Sequence, residues 1–247
     1  MKTSFFHPCI LIPVYNHEHA IGSVLARILE HGTMCLLVDD GSSPACAQEL
    51  DRLATAYPEK VIMLRHPSNQ GKGAAILTGI RHAALHGYSH VLQIDADGQH
   101  NTDDIPLFLA QAHKYPNAII CGYPIYDESV PKIRLYGRYL THIWVWINTL
   151  SLKIKDSMCG FRVYPTLQVT HLAAHQPLQK RMAFDTDILV RLCWNGIEII
   201  NLPTRVSYPV DGISHFRLWA DNFHISYMHT RLFFGMLLRL PLRLWRK

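Results

Sequence analysis

The chain has 247 residues, of which 49% are apolar and 17% charged, so it is long enough to bury a full core and too apolar to be disordered. Its net charge of +5 is uneven: Asn222 to Lys247 carries Arg231, Arg239, Arg243, Arg246 and Lys247 with no acid, and the remainder balances. A neutral body with a basic, apolar tail argues against nucleic acid as a partner and for a membrane surface. The six cysteines sit inside apolar runs with no metal-ligand spacing, which predicts buried, reduced thiols and a cytoplasmic setting. Met1 to Pro8 lacks the pattern of a signal peptide, and no apolar run is long enough to span a bilayer.

In chain order, "CILIPVY", "CLLVDD", "VIMLRH", "HVLQIDAD" and "AIICGY" read as strands. Between them Ala20 to His31, Pro44 to Tyr57, Gly73 to His86 and Asp104 to Lys114 carry helical spacing. This alternation predicts an α/β fold, a mostly parallel sheet with helices on both faces and a ligand site at the carboxyl ends of the strands. Lys132 to Leu152 is helical and aromatic; "DSMCGFRVYP", a helical "FDTDILVRLCWNG", a strand "IEIINLP" and the tail follow. His82, His86 and His90 read as surface or cap residues, not zinc ligands.

Asp95 and Asp97 end the fourth strand two residues apart. On a continuing strand they share a face, where they suit one hard cation such as Mg²⁺ or Mn²⁺, with Gln99 next on the alternation. The competing reading is a pair of turn formers in a solvated loop. Tyr15 and Asn16 after the first strand and Asp39 and Asp40 after the second put polar ends on the same edge, which favours a site. "NQGKGAA" lacks the Ser or Thr of a Walker loop after Lys72, and a helix start packed on the sheet accounts for it as well as a donor contact does.

Taken in order, "IPVYN", "VDDGSS", "NQGKGAAILTGIRHA", "QIDADGQH", "DSMCGFRVY" and "FDTDILVRLCWNGIEIINLP" resemble the family 2 glycosyltransferases, especially those acting on polyprenyl phosphates, from about Ile10 to about Ser214. The resemblance implies a GT-A fold, a nucleotide-sugar donor, a divalent cation and inversion at the anomeric carbon. It places Pro13, Tyr15, Val38 and Asp40 around the nucleotide, and Asp95, Ala96, Asp97 and Gln99 around the diphosphate, with Asp95, Asp97 and Gln99 on the metal. Asp39 is the alternative to Asp40, bracing the loop. Asp156 is the first candidate base; Asp185 and Asp187 are rivals that, two apart on a helix, do not both face the site.

Two arginines usual in the prenyl-phosphate branch are replaced by Pro124 and Pro209. Arg134, Arg138, Arg205 or Arg217 can substitute, and His215 stands where a lysine is common. The acceptor is therefore expected to be lipid-linked or amphipathic, either a hydroxyl, which needs a base, or a polyprenyl phosphate, which does not. The expected division is a catalytic domain, 1–214, and an amphipathic helical extension, 215–247, that binds the cytoplasmic face of a membrane peripherally, with Pro241 breaking its helix. The rival readings are a nucleotidyltransferase of similar plan, for which no triphosphate loop of the GxGxR type is present, and an inactive nucleotide-sugar-binding module, against which Asp95, Asp97 and Gln99 speak.

Overall fold

The computed structural model describes residues 5–126, 132–207 and 218–244. Pro209, His215, Arg217, Trp245, Arg246, Lys247, the boundary at 214/215 and the side chain of Arg134 lie outside that description.

Seven strands form one sheet in the order β3-β2-β1-β4-β6-β5-β7. The first four in chain order, β1 (Pro8–Val14), β2 (Cys35–Asp39), β3 (Val61–Arg65) and β4 (His90–Gln93), pair in parallel. β5 (Ile119–Tyr126) pairs in parallel with β7 (Ile199–Val206), and β6 (Arg162–Pro165) runs antiparallel between β4 and β5. The apolar run of β1 follows from its place at the centre: Cys9 and Leu11 enter the core on one face, Ile10 and Ile12 the core on the other.

The second of those cores is covered by α1 (Glu18–Leu29), α2 (Pro44–Ala56) and α4 (Ile105–Lys114). The first is covered by α3 (Lys72–Leu85), α6 (Thr166–His175), α7 (Phe184–Trp194) and buried residues of α5 (Lys132–Thr149) and α8 (Leu218–Leu244). α2 starts where the sequence signals it, with Ser43 Oγ accepting from Cys46 N at 3.3 Å and Pro44 in the first turn.

Three expectations are corrected and one helix is added. β4 stops at Gln93, so Asp95 and Asp97 lie in the following turn, where Gly98 takes φ +73°, and the strand pleat does not align them. α6 is an additional helix; it is one short stretch whose buried face is Thr166, Val169 and Leu172, too few apolar positions to set a period. α8 runs past Pro241, which has no N–H to donate, so the helix gives up one backbone bond there and ends three residues later. His90 is buried within β4, between Ser89 and the Pro116 carbonyl.

Candidate active site

The carboxyl ends of β1, β2 and β4 and the amino end of α3 meet at one edge of the sheet. After β1, Asn16 takes φ +53° and its Oδ1 accepts Ser43 N at 2.7 Å, tying the first loop to the second. Tyr15 and Pro13 are half-buried there, whereas Val38 is wholly buried in the core, so its side chain is not free to line a nucleotide.

Asp39 and Asp40 are both buried and both brace loops. Asp39 accepts Ser42 N at 2.9 Å and Arg65 Nε at 2.7 Å. Asp40 accepts the backbone N–H of Gln70 at 2.9 Å and of Gly71 at 2.8 Å, and lies 2.8 Å from His66 Nδ1. Its two oxygens thus serve the loop before α3, where the resemblance places them around the nucleotide. Beside them opens a cleft of about 440 Å³ lined by Gly41, Ser42, Ala47, Arg65, His66 and Pro67.

That loop delivers Lys72. Gly71, at φ +105°, lies against the Lys180 carbonyl with no room for a side chain, and α3 begins one residue later. Lys72 Nζ stands 2.8 Å from Asp95 Oδ1, 2.9 Å from Asp95 Oδ2 and 3.1 Å from Asp185 Oδ2. Burial pushes the Asp95 carboxyl up, but the charges of Lys72 and His100 outweigh it and hold it well below the usual carboxylate range. His100 Nε2 is 3.8 Å from Asp95, and its ring stacks on Phe161.

Asp97 is in the opposite condition. It accepts Gln99 N at 3.0 Å, and burial together with the charge of Asp95 raises its pKa. Among the described residues it makes no ion pair. Ala96 is buried beneath the turn, and Gln99 is half-buried, its carbonyl accepting Ser207 N at 3.0 Å. No group of three or more His, Cys, Asp or Glu converges as a preformed metal cage among the described residues. The donor set nevertheless fits a hard divalent cation: Asp97 is a half-buried carboxylate without an ion pair among the described residues, Asp95 is held ionised, and Gln99 is close in the turn.

Asp156 lies in the loop after α5, and the structure gives it a different character from a free base. It is buried, receives Arg138 Nε at 2.5 Å and Nη2 at 3.0 Å, and accepts Met158 N at 2.8 Å and Cys159 N at 2.7 Å. His142, one turn after Arg138, approaches to 3.3 Å. Burial pushes the carboxyl up, but the bond with His142 and the charge and bonds of Arg138 hold it well below the usual range.

Of the rival acids, Asp185 faces this edge through Lys72 and Gln93, whereas Asp187 turns away to Gln179 N at 2.9 Å and Arg191 Nε at 2.7 Å. Arg162, fully buried, fastens the two halves together. It donates to the carbonyls of Ser157 at 2.7 Å, Cys159 at 2.8 Å and Asp185 at 2.6 Å. Lys72 is marked in the sequence by its place after Gly71 at a helix start, and Gly160 by the tight turn that "DSMCGF" suggests; nothing in the local pattern marks His100 or Arg162.

The family model of glycosyl transferase family 2 matches residues 9–170, and the chain belongs to that family. It is 32% identical over 244 residues to the UDP-N-acetylglucosamine–dolichyl-phosphate N-acetylglucosaminyltransferase of Methanococcus voltae, covering 93% of this chain and 97% of that one. It is 26% identical to the polyprenol monophosphomannose synthase of Mycolicibacterium smegmatis, over 83% of this chain and 79% of the relative. Among solved structures, glucosyl-3-phosphoglycerate synthase from Mycobacterium tuberculosis in complex with phosphoglyceric acid superposes with a TM-score of 0.64 at 15% identity, covering 93% of this chain and 81% of that one. The same enzyme in complex with Mn²⁺ and UDP-glucose gives 0.61 at 15% identity, over 96% and 79%. These likenesses establish the GT-A fold, and family membership makes the chain a glycosyltransferase.

Proposed function

We propose that the chain transfers a sugar from a nucleotide-diphosphate donor to a polyprenyl phosphate at a membrane surface, with inversion and with Mg²⁺ or Mn²⁺. The observation that carries the reading is the strand-edge cluster of Lys72, Asp95 and Asp97, the last without an ion pair among the described residues, in the turn beyond β4. Relatives named for dolichyl-phosphate and polyprenol acceptors support the acceptor class.

In this account the nucleotide lies along the edge formed by Pro13, Tyr15 and the loops that Asp39 and Asp40 brace. Asp95, Asp97 and Gln99 would hold the cation, which would supply charge neutralisation to the departing diphosphate. A phosphate oxygen of the acceptor attacks the anomeric carbon from the opposite side. The bond from that carbon to the donor diphosphate breaks, and its electron pair leaves with the nucleoside diphosphate. An ionised phosphate surrenders no proton, so no general base is needed. The clamped state of Asp156 agrees with that: a carboxylate held by an arginine, a histidine and two N–H groups is a poor proton acceptor. Asp156 instead positions Arg138, on α5, beside the site.

The membrane reading rests on α5 and α8. Tyr139, Leu140, Ile143, Trp144 and Ile147 form an exposed stripe at helical spacing on α5; Phe223, Tyr227, Phe234 and Leu238 do the same on α8. The helices pack through Trp144, which meets Phe233 edge-on and His229 at 6.1 Å; along α8 Leu232 enters the core while Leu238 is exposed. Among the described residues no helix is long and apolar enough to cross a membrane. The extension 215–247 then lies on the cytoplasmic face and presents the lipid acceptor to the 1–214 domain. Transfer of radiolabelled sugar to polyprenyl phosphate, assayed with UDP- and GDP-sugars in anionic vesicles, tests the reading; hydrolysis or transfer to no lipid under any donor would refute it.

A further inference from the structure

Lys72 occupies the position that a bound cation would compete for. Its ammonium group lies within 3.1 Å of three carboxylate oxygens, both of Asp95 and one of Asp185, and α3 holds it there from a backbone start pinned by Asp40. Arg162 adds a second positive charge 4.0 Å from Asp185. Of Asp95, Asp185 and Asp97, the first two are thus already neutralised by side chains of the chain itself, and Asp97 is without an ion pair among the described residues.

We infer that Lys72 is an internal counter-cation that keeps the free enzyme's metal affinity low, so that a divalent cation is retained only together with a diphosphate. The inference rests on the proposed metal reading and adds to it an order of binding and a residue that sets it. A diphosphate brings negative charge that both the metal and Lys72 attract. When Lys72 turns part of its charge to phosphate oxygens, Asp95 is released to a cation. Without a diphosphate the ammonium and the cation repel one another across the same carboxylates, and neither Asp95 nor Asp185 is free to bind.

The role is a positioning one, and the readout that separates it from plain structural support is metal binding in the absence of turnover. Mn²⁺ binding to the intact chain is measured by electron paramagnetic resonance, with Mn²⁺ alone and with Mn²⁺ plus UDP or GDP. Wild type is expected to bind Mn²⁺ at least tenfold more tightly with the effective nucleotide than without it. Lys72→Met is expected to bind Mn²⁺ alone at least tenfold more tightly than wild type does, and to lose most of the nucleotide's enhancement. Lys72→Arg, which keeps the charge, should restore weak binding by Mn²⁺ alone. If Lys72→Met fails to fold by circular dichroism, Lys72→Gln is read in its place and, on the wild-type chain alone, Mn²⁺ binding without nucleotide as tight as with it overturns the inference. Unchanged or weaker Mn²⁺ affinity in a folded, neutral variant, with wild type still binding Mn²⁺ plus nucleotide, overturns the Lys72 assignment and leaves the metal reading standing. Absence of Mn²⁺ binding in wild type with every nucleotide overturns both.

Discussion

Gly160 is the wall against which the Asp95 carboxylate rests: a Cβ built on Gly160 would stand 2.6 Å from Asp95 Oδ1. The tight turn of "DSMCGF" therefore serves the acid beyond β4, 65 positions away in the sequence but adjacent where β6 pairs with β4. Gly160→Ala is expected to displace Asp95 from Lys72 and lower transfer by about 10²-fold, the scale of a misplacement of about 1 Å in a catalytic constellation. Turnover and circular dichroism on one sample check it; an alanine variant with wild-type turnover would show that Asp95 does not need this placement.

Asp156→Asn should act on stability more than on chemistry. Removing the charge leaves Arg138 and His142 facing a neutral group in a buried setting, at a cost of about 3 kcal/mol. Urea unfolding measures that loss. With a phosphate acceptor, turnover of the folded variant should fall less than tenfold, whereas loss of a true general base costs about 10²–10⁴. The pH dependence has a definite sign. The folded pKa of Asp156 is depressed, so its stabilisation is present above the unfolded carboxylate value and disappears as pH falls through the folded one. The variant should therefore lose less stability than wild type on acidification.

The first half of the fold was legible because its strands are continuous apolar runs and its helices keep a 3.6 period, as in β1 and α2. The site was legible as a set of acids, not as an arrangement. Asp95, Asp97 and Asp156 are visible in the sequence, but whether each is free or clamped depends on Lys72, Arg138 and His142, which reach them from distant elements. Asp39 and Asp40 show the same limit: their neighbours Arg65, His66 and Gly71 come from β3 and the loop after it. The direction of Asp187 follows from Arg191 one turn later, a spacing that the sequence does display.

His229 predicts an acid-labile contact between α5 and α8. It is buried beside Asn148, with 3.2 Å between Nδ1 and Nδ2, and burial lowers its pKa to about 4. A histidine with a depressed folded pKa is neutral in the fold and takes up its proton more readily when unfolded. Its contribution is complete above about pH 6.5 and is lost as pH falls toward 4, by about 3 kcal/mol in all. Thermal unfolding of wild type and His229→Leu between pH 7 and pH 4 checks it: the leucine variant should show the shallower decline.

Membrane contact is expected to depend on the exposed stripes and not on the fold. Leu140 is 60% and Leu238 78% exposed, so replacing each by Glu removes no core contact. The double variant should remain folded and stop sedimenting with anionic vesicles that carry down the wild type. Arg239, packed on the Trp194 ring at 4.5 Å, should contribute less than an unrestrained arginine to that attraction.

On the proposed function, the turn after β4 holds the cation for the donor diphosphate through Asp97, the carboxylate left without an ion pair among the described residues. Sugar transfer to polyprenyl phosphate, followed with Mn²⁺ and with chelator in wild type and Asp97→Asn, tests it most directly. Wild-type transfer is expected to be chelator-sensitive, and Asp97→Asn to lose about 10²-fold or more with an unchanged circular dichroism spectrum. Transfer in Asp97→Asn at the wild-type rate, or wild-type transfer indifferent to chelator, would contradict it.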